Sequence, residues 1–277
     1  VVKTLHFSTD QIEFFRSNGY LAGPRVLSDE QLDRLRAQCD GILDGRIDYP
    51  DELRGVANAK VKGNPQLRKI TNLFRHDPVF AEVISNSAIS SLAHDLMEGP
   101  VRVWEDQSIA KAPGDEFGVV AWHRDYTYWD HVGPSELATC WIALDDATVA
   151  NACMHVIPGS HKWNLDYARD DVDNENANWV LERPDIPADA TVEPVACEVE
   201  AGHCHFHHCR TLHGSQGNTT DRPRRSYILH LMPGTTRRIG YDWNPRMGSV
   251  EGVGIGEVVQ GASYPELAMV ESRGARS

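Results

Sequence analysis

Along the first hundred residues apolar side chains recur at three- and four-residue intervals between clear start and stop signals; from Val101 they alternate with polar ones. Ser8-Thr9-Asp10-Gln11 and Ser28-Asp29-Glu30-Gln31 have the capping-box spacing, in which a serine oxygen and a glutamine side chain satisfy reciprocal amide donors. The first opens a helix carrying Ile12, Phe14 and Phe15 to a stop near Gly19. The second places Leu32, Leu35 and Cys39 on one side and ends near Gly45. A third helix is predicted over 77–98, opened by Asp77-Pro78, with Phe80, Val83, Ile84, Leu92 and Leu96 facing a core and Gly99-Pro100 stopping it. Strands follow at Val101 to Lys111, Val119 to Tyr126, Leu137 to Leu144, Asn151 to Ile157, His203 to His208 and Tyr227 to Leu231. The pattern predicts a mainly β domain with flanking α-helices over 1–277. A helical part runs to residue 98 and a β core spans 101–232, with a C-terminal extension over 233–277 that is either packed on the barrel mouth or loose. Residues 162–190 lose periodicity and turn acidic around Trp163, Tyr167 and Trp179; so long an irregular insertion reads as a lid.

Alternation puts chemistry on one face. Side chains two apart in a strand point the same way, so His123 and Asp125 can offer a nitrogen and an oxygen to one point, and His213 can complete the set from a distant strand. Two histidines and a carboxylate on one face of an octahedral ion leave open positions, the arrangement of non-haem Fe(II) oxygenases. Taken alone, His-x-Asp equally describes a half-buried histidine beside a surface aspartate. Arg224 and Ser226 share a face of the strand that follows Pro223, where a guanidinium fork and a hydroxyl can hold a carboxylate of a small diacid. Tyr126, Tyr128, Trp129 and His131 form the densest aromatic group and suit either core packing or a loop anchor, or the wall of a substrate pocket, the reading preferred here. His203, His205 and His207 fall on one face and offer a zinc site on paper, but same-strand neighbours are spaced for a ladder rather than for tetrahedral closure. Lys111 reads as a surface residue before the Pro113-Gly114 turn as readily as a pocket residue.

The runs Trp122-His123-Arg124-Asp125-Tyr126 and Asn151-Ala152-Cys153-Met154-His155-Val156-Ile157-Pro158-Gly159-Ser160-His161, with His213-Gly214-Ser215, Asn218 and Arg224, resemble the phytanoyl-CoA dioxygenase family of Fe(II)/2-oxoglutarate oxygenases across roughly residues 8 to 235. The resemblance implies a double-stranded β-helix (jelly-roll, cupin-like) core with Fe(II) on His123, Asp125 and His213. It also implies 2-oxoglutarate contacts from Lys69, Gln107 and Trp141 beside Arg224 and Ser226. The implied reaction is O2-dependent hydroxylation of a C–H bond in a small molecule, with a secondary metabolite, an acyl thioester and an amino-acid derivative all open as substrates, and release of succinate and CO2. Related halogenases have a small residue where Asp125 stands, so the carboxylate argues for an oxidative outcome without halide. The family more often has glycine at Ala152 and an acidic residue at His203. The rival readings are a cupin-like metal isomerase or hydrolase, which has no need for Arg224 with Ser226 at a distance suited to a five-carbon diacid, and a silent binding barrel, which is expected to lose a ligand, whereas none is lost here.

Composition narrows the partners. A net charge of −13 argues against nucleic acid and anionic membranes, despite the basic run of Arg54, Lys60, Lys62, Arg68 and Lys69, which otherwise reads as a solvated face. With 41 % hydrophobic residues the 277-residue chain buries a sizeable core. No stretch is long and apolar enough to span a bilayer, and the first residues lack the apolar core of a signal peptide, so a cytoplasmic enzyme is expected. Six cysteines without a CxxC pair read as reduced, mostly buried thiols. The oligomeric state is left open.

Overall fold

The computed structural model describes residues 5–56, 67–166, 177–241, 250 and 252–268. Both capping boxes form. Ser8 and Ser28 accept the amides of Gln11 and Gln31, whose side chains accept the serine amides in return, opening α1 (Thr9–Asn18) and α2 (Asp29–Leu43). Gly19 closes α1 in the left-handed conformation at φ 77. Phe15 is buried, whereas Phe14 is exposed, with its ring T-shaped to Tyr20 at 5.3 Å. The single helix expected over 77–98 is two. After the short α3 (Leu73–His76), α4 (Pro78–Ile84) stops where Asn86 accepts the amides of Ala88 and Ile89 to start α5 (Ser87–Leu96). The same asparagine donates to the Val26 carbonyl, so the break is held by tertiary structure.

The β core is two facing sheets. The larger orders β1 (Tyr20–Arg25), β10 (His203–His208), β7 (Ala138–Ala143), β12 (Arg224–Pro233), β4 (Val101–Lys111), β3 (Leu67–Thr71) and β2 (Arg54–Val56). The smaller orders β5 (Val120–His123), β11 (His213–Ser215), β8 (Met154–Val156) and β9 (Val195–Cys197). Two short strands, β6 (Val132–Gly133) and β13 (Arg237–Arg238), pair outside them. This is the jelly-roll core of the expectation. The β4–β12 ladder is its spine, and alternation divides its residues cleanly. Tyr227, Leu229 and Leu231 face outward onto Leu35, Phe80 and Ile89 of the helices. Arg224, Ile228 and His230 face inward, opposite Lys111, Gln107 and Glu105.

The described parts of the insertion are anchored. Trp163, Leu165, Trp179 and Val180 pack against Trp122 and Leu212, and the Trp122 amide donates to Ala177. The acidic stretch of the predicted lid, 167–176, lies outside the described residues, as do Lys60, Lys62, Trp243 and Arg246. The C-terminal extension crosses the start of β4. Leu267 donates to Val101, Val103 donates to Pro265, and Tyr264 stacks on buried Trp104 with centroids 5.9 Å apart. No helix among the described residues is long and apolar enough to cross a membrane.

Candidate active site

Between the sheets lies a cavity lined by Gln107, Thr139, Trp141, Ile228 and His230 from the larger sheet and by His123, His213 and Ser215 from the smaller, with Asp125 and Arg224. β5 ends at His123, extended Arg124 keeps the alternation, and Asp125 opens a 3-10 turn. His213 lies directly across the β5–β11 ladder from His123. Asp125 Oδ1 therefore sits 3.7 Å from His123 Nε2 and 3.5 Å from His213 Nε2. The three ligand atoms fall within 4.8 Å of one another.

Backbone contacts choose which nitrogen is presented. His123 Nδ1 donates to Ala121 O at 2.8 Å and His213 Nδ1 to Thr211 O at 3.0 Å, leaving each Nε2 lone pair directed at the common point. Burial pulls His123 and His213 down to about 4, so both are neutral ligands at pH 7. Burial alone would raise Asp125, but His213, His207 and His230 outweigh it and hold the carboxyl well below its usual range. Neutral imidazoles and an ionised carboxylate are the protonation states a divalent cation requires. Donors bound about 2.1 Å from an octahedral ion stand roughly 3 Å apart, so the set fits iron with a small inward adjustment.

A second set of groups fixes Asp125, and two of them, Thr139 and His230, are not singled out by the sequence. Its Oδ2 accepts from Thr139 Oγ1 at 2.7 Å and from His207 Nε2 at 3.2 Å. The Thr139 hydroxyl accepts from His230 Nδ1 at 2.9 Å, and His230 Nε2 accepts from the Gln107 amide at 3.0 Å. His207 belongs to the face read as a possible zinc ladder; it is spent on Asp125, and His205 stacks on Tyr20.

At the other end, Arg224 is buried under the Trp141 ring, 5.6 Å from its centroid, and its Nε has no hydrogen-bond partner among the described residues. Its neighbour Arg225 is satisfied by Asp145 and Asp40. A buried, unspent guanidinium fits the far carboxylate of 2-oxoglutarate. Ser226 is on the same inward face, but its hydroxyl donates to Ile109 O and the side chain is off the cavity wall; the hydroxyl residue lining that end is Ser215. Lys111 is fully buried and bonds Ser215, so the surface alternative does not hold. Lys69 lies on β3 opposite Ile109, where partial burial lowers its ammonium and the charges of Glu105 and Asp125 oppose that shift. Tyr128 meets His123 edge-on at 6.1 Å and Trp129 meets His230 at 4.6 Å. Tyr126 is turned away, donating to Val132 O.

The comparisons agree with this geometry. The family model described as Phytanoyl-CoA dioxygenase (PhyH) matches residues 15–226. Phytanoyl-CoA dioxygenase of Arabidopsis thaliana is 28 % identical over 254 residues, covering 80 % of this chain and 88 % of its own. Among solved structures, SnoK, a non-heme alpha ketoglutarate dependent carbocyclase from nogalamycin biosynthesis, matches with TM-score 0.77 at 26 % identity, covering 95 % of this chain and 97 % of its own. The epimerase SnoN, in complex with Fe3+, alpha ketoglutarate and nogalamycin RO, shares the fold with TM-score 0.76 at 22 % identity, over 94 % and 98 % of the two chains. The chain belongs to the phytanoyl-CoA dioxygenase (PhyH) family and is an Fe(II)/2-oxoglutarate-dependent oxygenase.

Proposed function

We propose that the protein hydroxylates a C–H bond of a small molecule of the secondary-metabolite kind, with release of succinate and CO2. The observation that carries this reading is the pairing of a buried His-Asp-His set with the unspent guanidinium of Arg224 in one cavity. His123, Asp125 and His213 would hold Fe(II), which would supply the redox chemistry for activating O2. The chain's own residues do the rest. Arg224 takes the far carboxylate of 2-oxoglutarate, and the Trp141 ring over the guanidinium keeps water from it. Gln107, Lys69 and Ser215 orient the same acid. Tyr128, edge-on to His123, is the aromatic assigned to the substrate side, whereas Trp129 is buried in the core and backs His230. Asp125 occupies the position a halide would need, which favours hydroxylation, or another oxidative outcome such as desaturation, epimerisation or ring closure, over halogenation. A small-molecule substrate also suits the acidic surface.

The test is anaerobic addition of Fe(II) and 2-oxoglutarate to metal-free protein, followed by the weak visible charge-transfer band of the chelate. The band is expected in wild type and absent in His213→Ala; a folded, iron-loaded wild type without it sinks the proposal. Succinate release across a substrate panel then identifies the reaction.

A further inference from the structure

Lys111 Nζ donates to Ser215 Oγ at 2.7 Å and also to the Gln216 carbonyl. Lys111 and Arg224 are directly opposed across the β4–β12 ladder and both are buried, so two cationic side chains enter the same end of the interior. Burial and the charge of Arg224 pull the lysine well below its usual range, with Asp115 opposing them. Placing a second cation beside Arg224 is costly unless an anion shares the space. Ser215 supplies the link to the cavity, which its side chain lines. A serine oxygen that accepts a hydrogen bond from an ammonium keeps its own hydrogen for another acceptor, and the charge-assisted bond polarises that O–H. Arg224 lines the same cavity.

Resting on the 2-oxoglutarate reading above, we propose that Lys111 is a positioning residue that sets the preference for a dicarboxylic 2-oxo acid. It fixes Ser215 so that the serine hydroxyl donates, alongside Arg224, to the far carboxylate.

Anaerobic titration of the Fe(II)-loaded protein with 2-oxoglutarate and with 2-oxopentanoate separates the far carboxylate from everything else. The second acid has the same five carbons and the same chelating end. The charge-transfer band reads both half-saturations without turnover. Lys111→Met is expected to raise the half-saturation for 2-oxoglutarate about tenfold or more, the loss of a charge-assisted bond, while that for 2-oxopentanoate stays nearly constant. Ser215→Ala is expected to shift the preference the same way, and to add little on top of Lys111→Met because both act through one contact. Equal shifts for the two acids, or effects that multiply in the double variant, overturn the assignment. If Lys111→Met does not fold, Ser215→Ala decides alone: an unchanged ratio of half-saturations overturns the relay. A wild type with no band overturns the 2-oxoglutarate reading itself, whereas a wild-type band with unaltered preference in the variants overturns only the role of Lys111.

Discussion

Arg224 and Arg225 are consecutive arginines with opposite roles, because strand alternation sends one into the cavity and the other out to Asp145 and Asp40. The same logic applies to polar groups around the metal site. Thr139 is linked through its hydroxyl both to Asp125 and to His230. Thr139→Val keeps the shape and removes that link, so it is expected to weaken metal binding about tenfold, measured by Co(II) titration of the metal-free protein; unchanged affinity would show that His207 alone orients the carboxylate. Glu105 has the reverse problem. It is buried with neither oxygen hydrogen-bonded, and burial pushes it from 4.5 to about 7 against the charge of Lys69. The folded state binds this proton more tightly than the unfolded state, so its penalty is absent below about pH 4.5, grows towards pH 7 and is constant above. Glu105→Gln is therefore expected to gain stability relative to wild type as the pH rises from 4.5 to 8, offset in part by the charge partner that Lys69 loses. Urea unfolding at both pH values checks this: a gain that does not shrink towards pH 4.5 contradicts the linkage.

Elements bring such residues together, and β11 shows how tightly. A Cβ on Gly214 would stand 3.0 Å from Val120 O and 3.2 Å from Trp122 N, both backbone atoms of β5 or its equal in the ladder. Gly214→Ala must push β5 from β11 and with it His123 from His213, whose ring centroids are 4.2 Å apart. Metal affinity is expected to fall at least about tenfold with the far-ultraviolet spectrum retained; a variant that binds metal normally would show the ladder to be softer than its contacts suggest. Much at this scale was legible. The capping boxes and β4 follow local rules, and the i, i+2 spacing of His123 and Asp125 survives even though Asp125 has left the strand. The break at Asn86 was not legible, because the asparagine is held by Val26, sixty residues away. Nor was the short β8: Ala152 just before it sits at φ 71, a left-handed conformation that glycine adopts at less cost. The groups holding Asp125 come from β4, β7, β10 and β12, so no window of sequence contains them.

The whole molecule is asymmetric in what covers its two sheets. Helices cover the outer face of the large sheet, the insertion covers β5, and the C-terminal segment closes the end of β4 where Trp104 and Met232 would otherwise meet water. That segment has little regular structure of its own, and its periodicity gave no sign of where it docks; its order comes from Val250, Val259, Tyr264 and Leu267 being buried. It also forms an antiparallel bridge at Arg102–Glu266, backed by a 2.7 Å ion pair. Because Trp104 precedes Glu105 on β4, and Trp129 of the same cluster touches His230, this contact supports the end of the cavity opposite Arg224. Tyr264→Ala is expected to cost about 3 kcal/mol, the usual loss for a buried aromatic, and to lower the melting temperature in a single cooperative transition. If the segment were an independent appendage, the variant would melt in two steps with the main transition unmoved. One displaced transition instead ties the C-terminal segment to the same cooperative unit that holds the metal ligands.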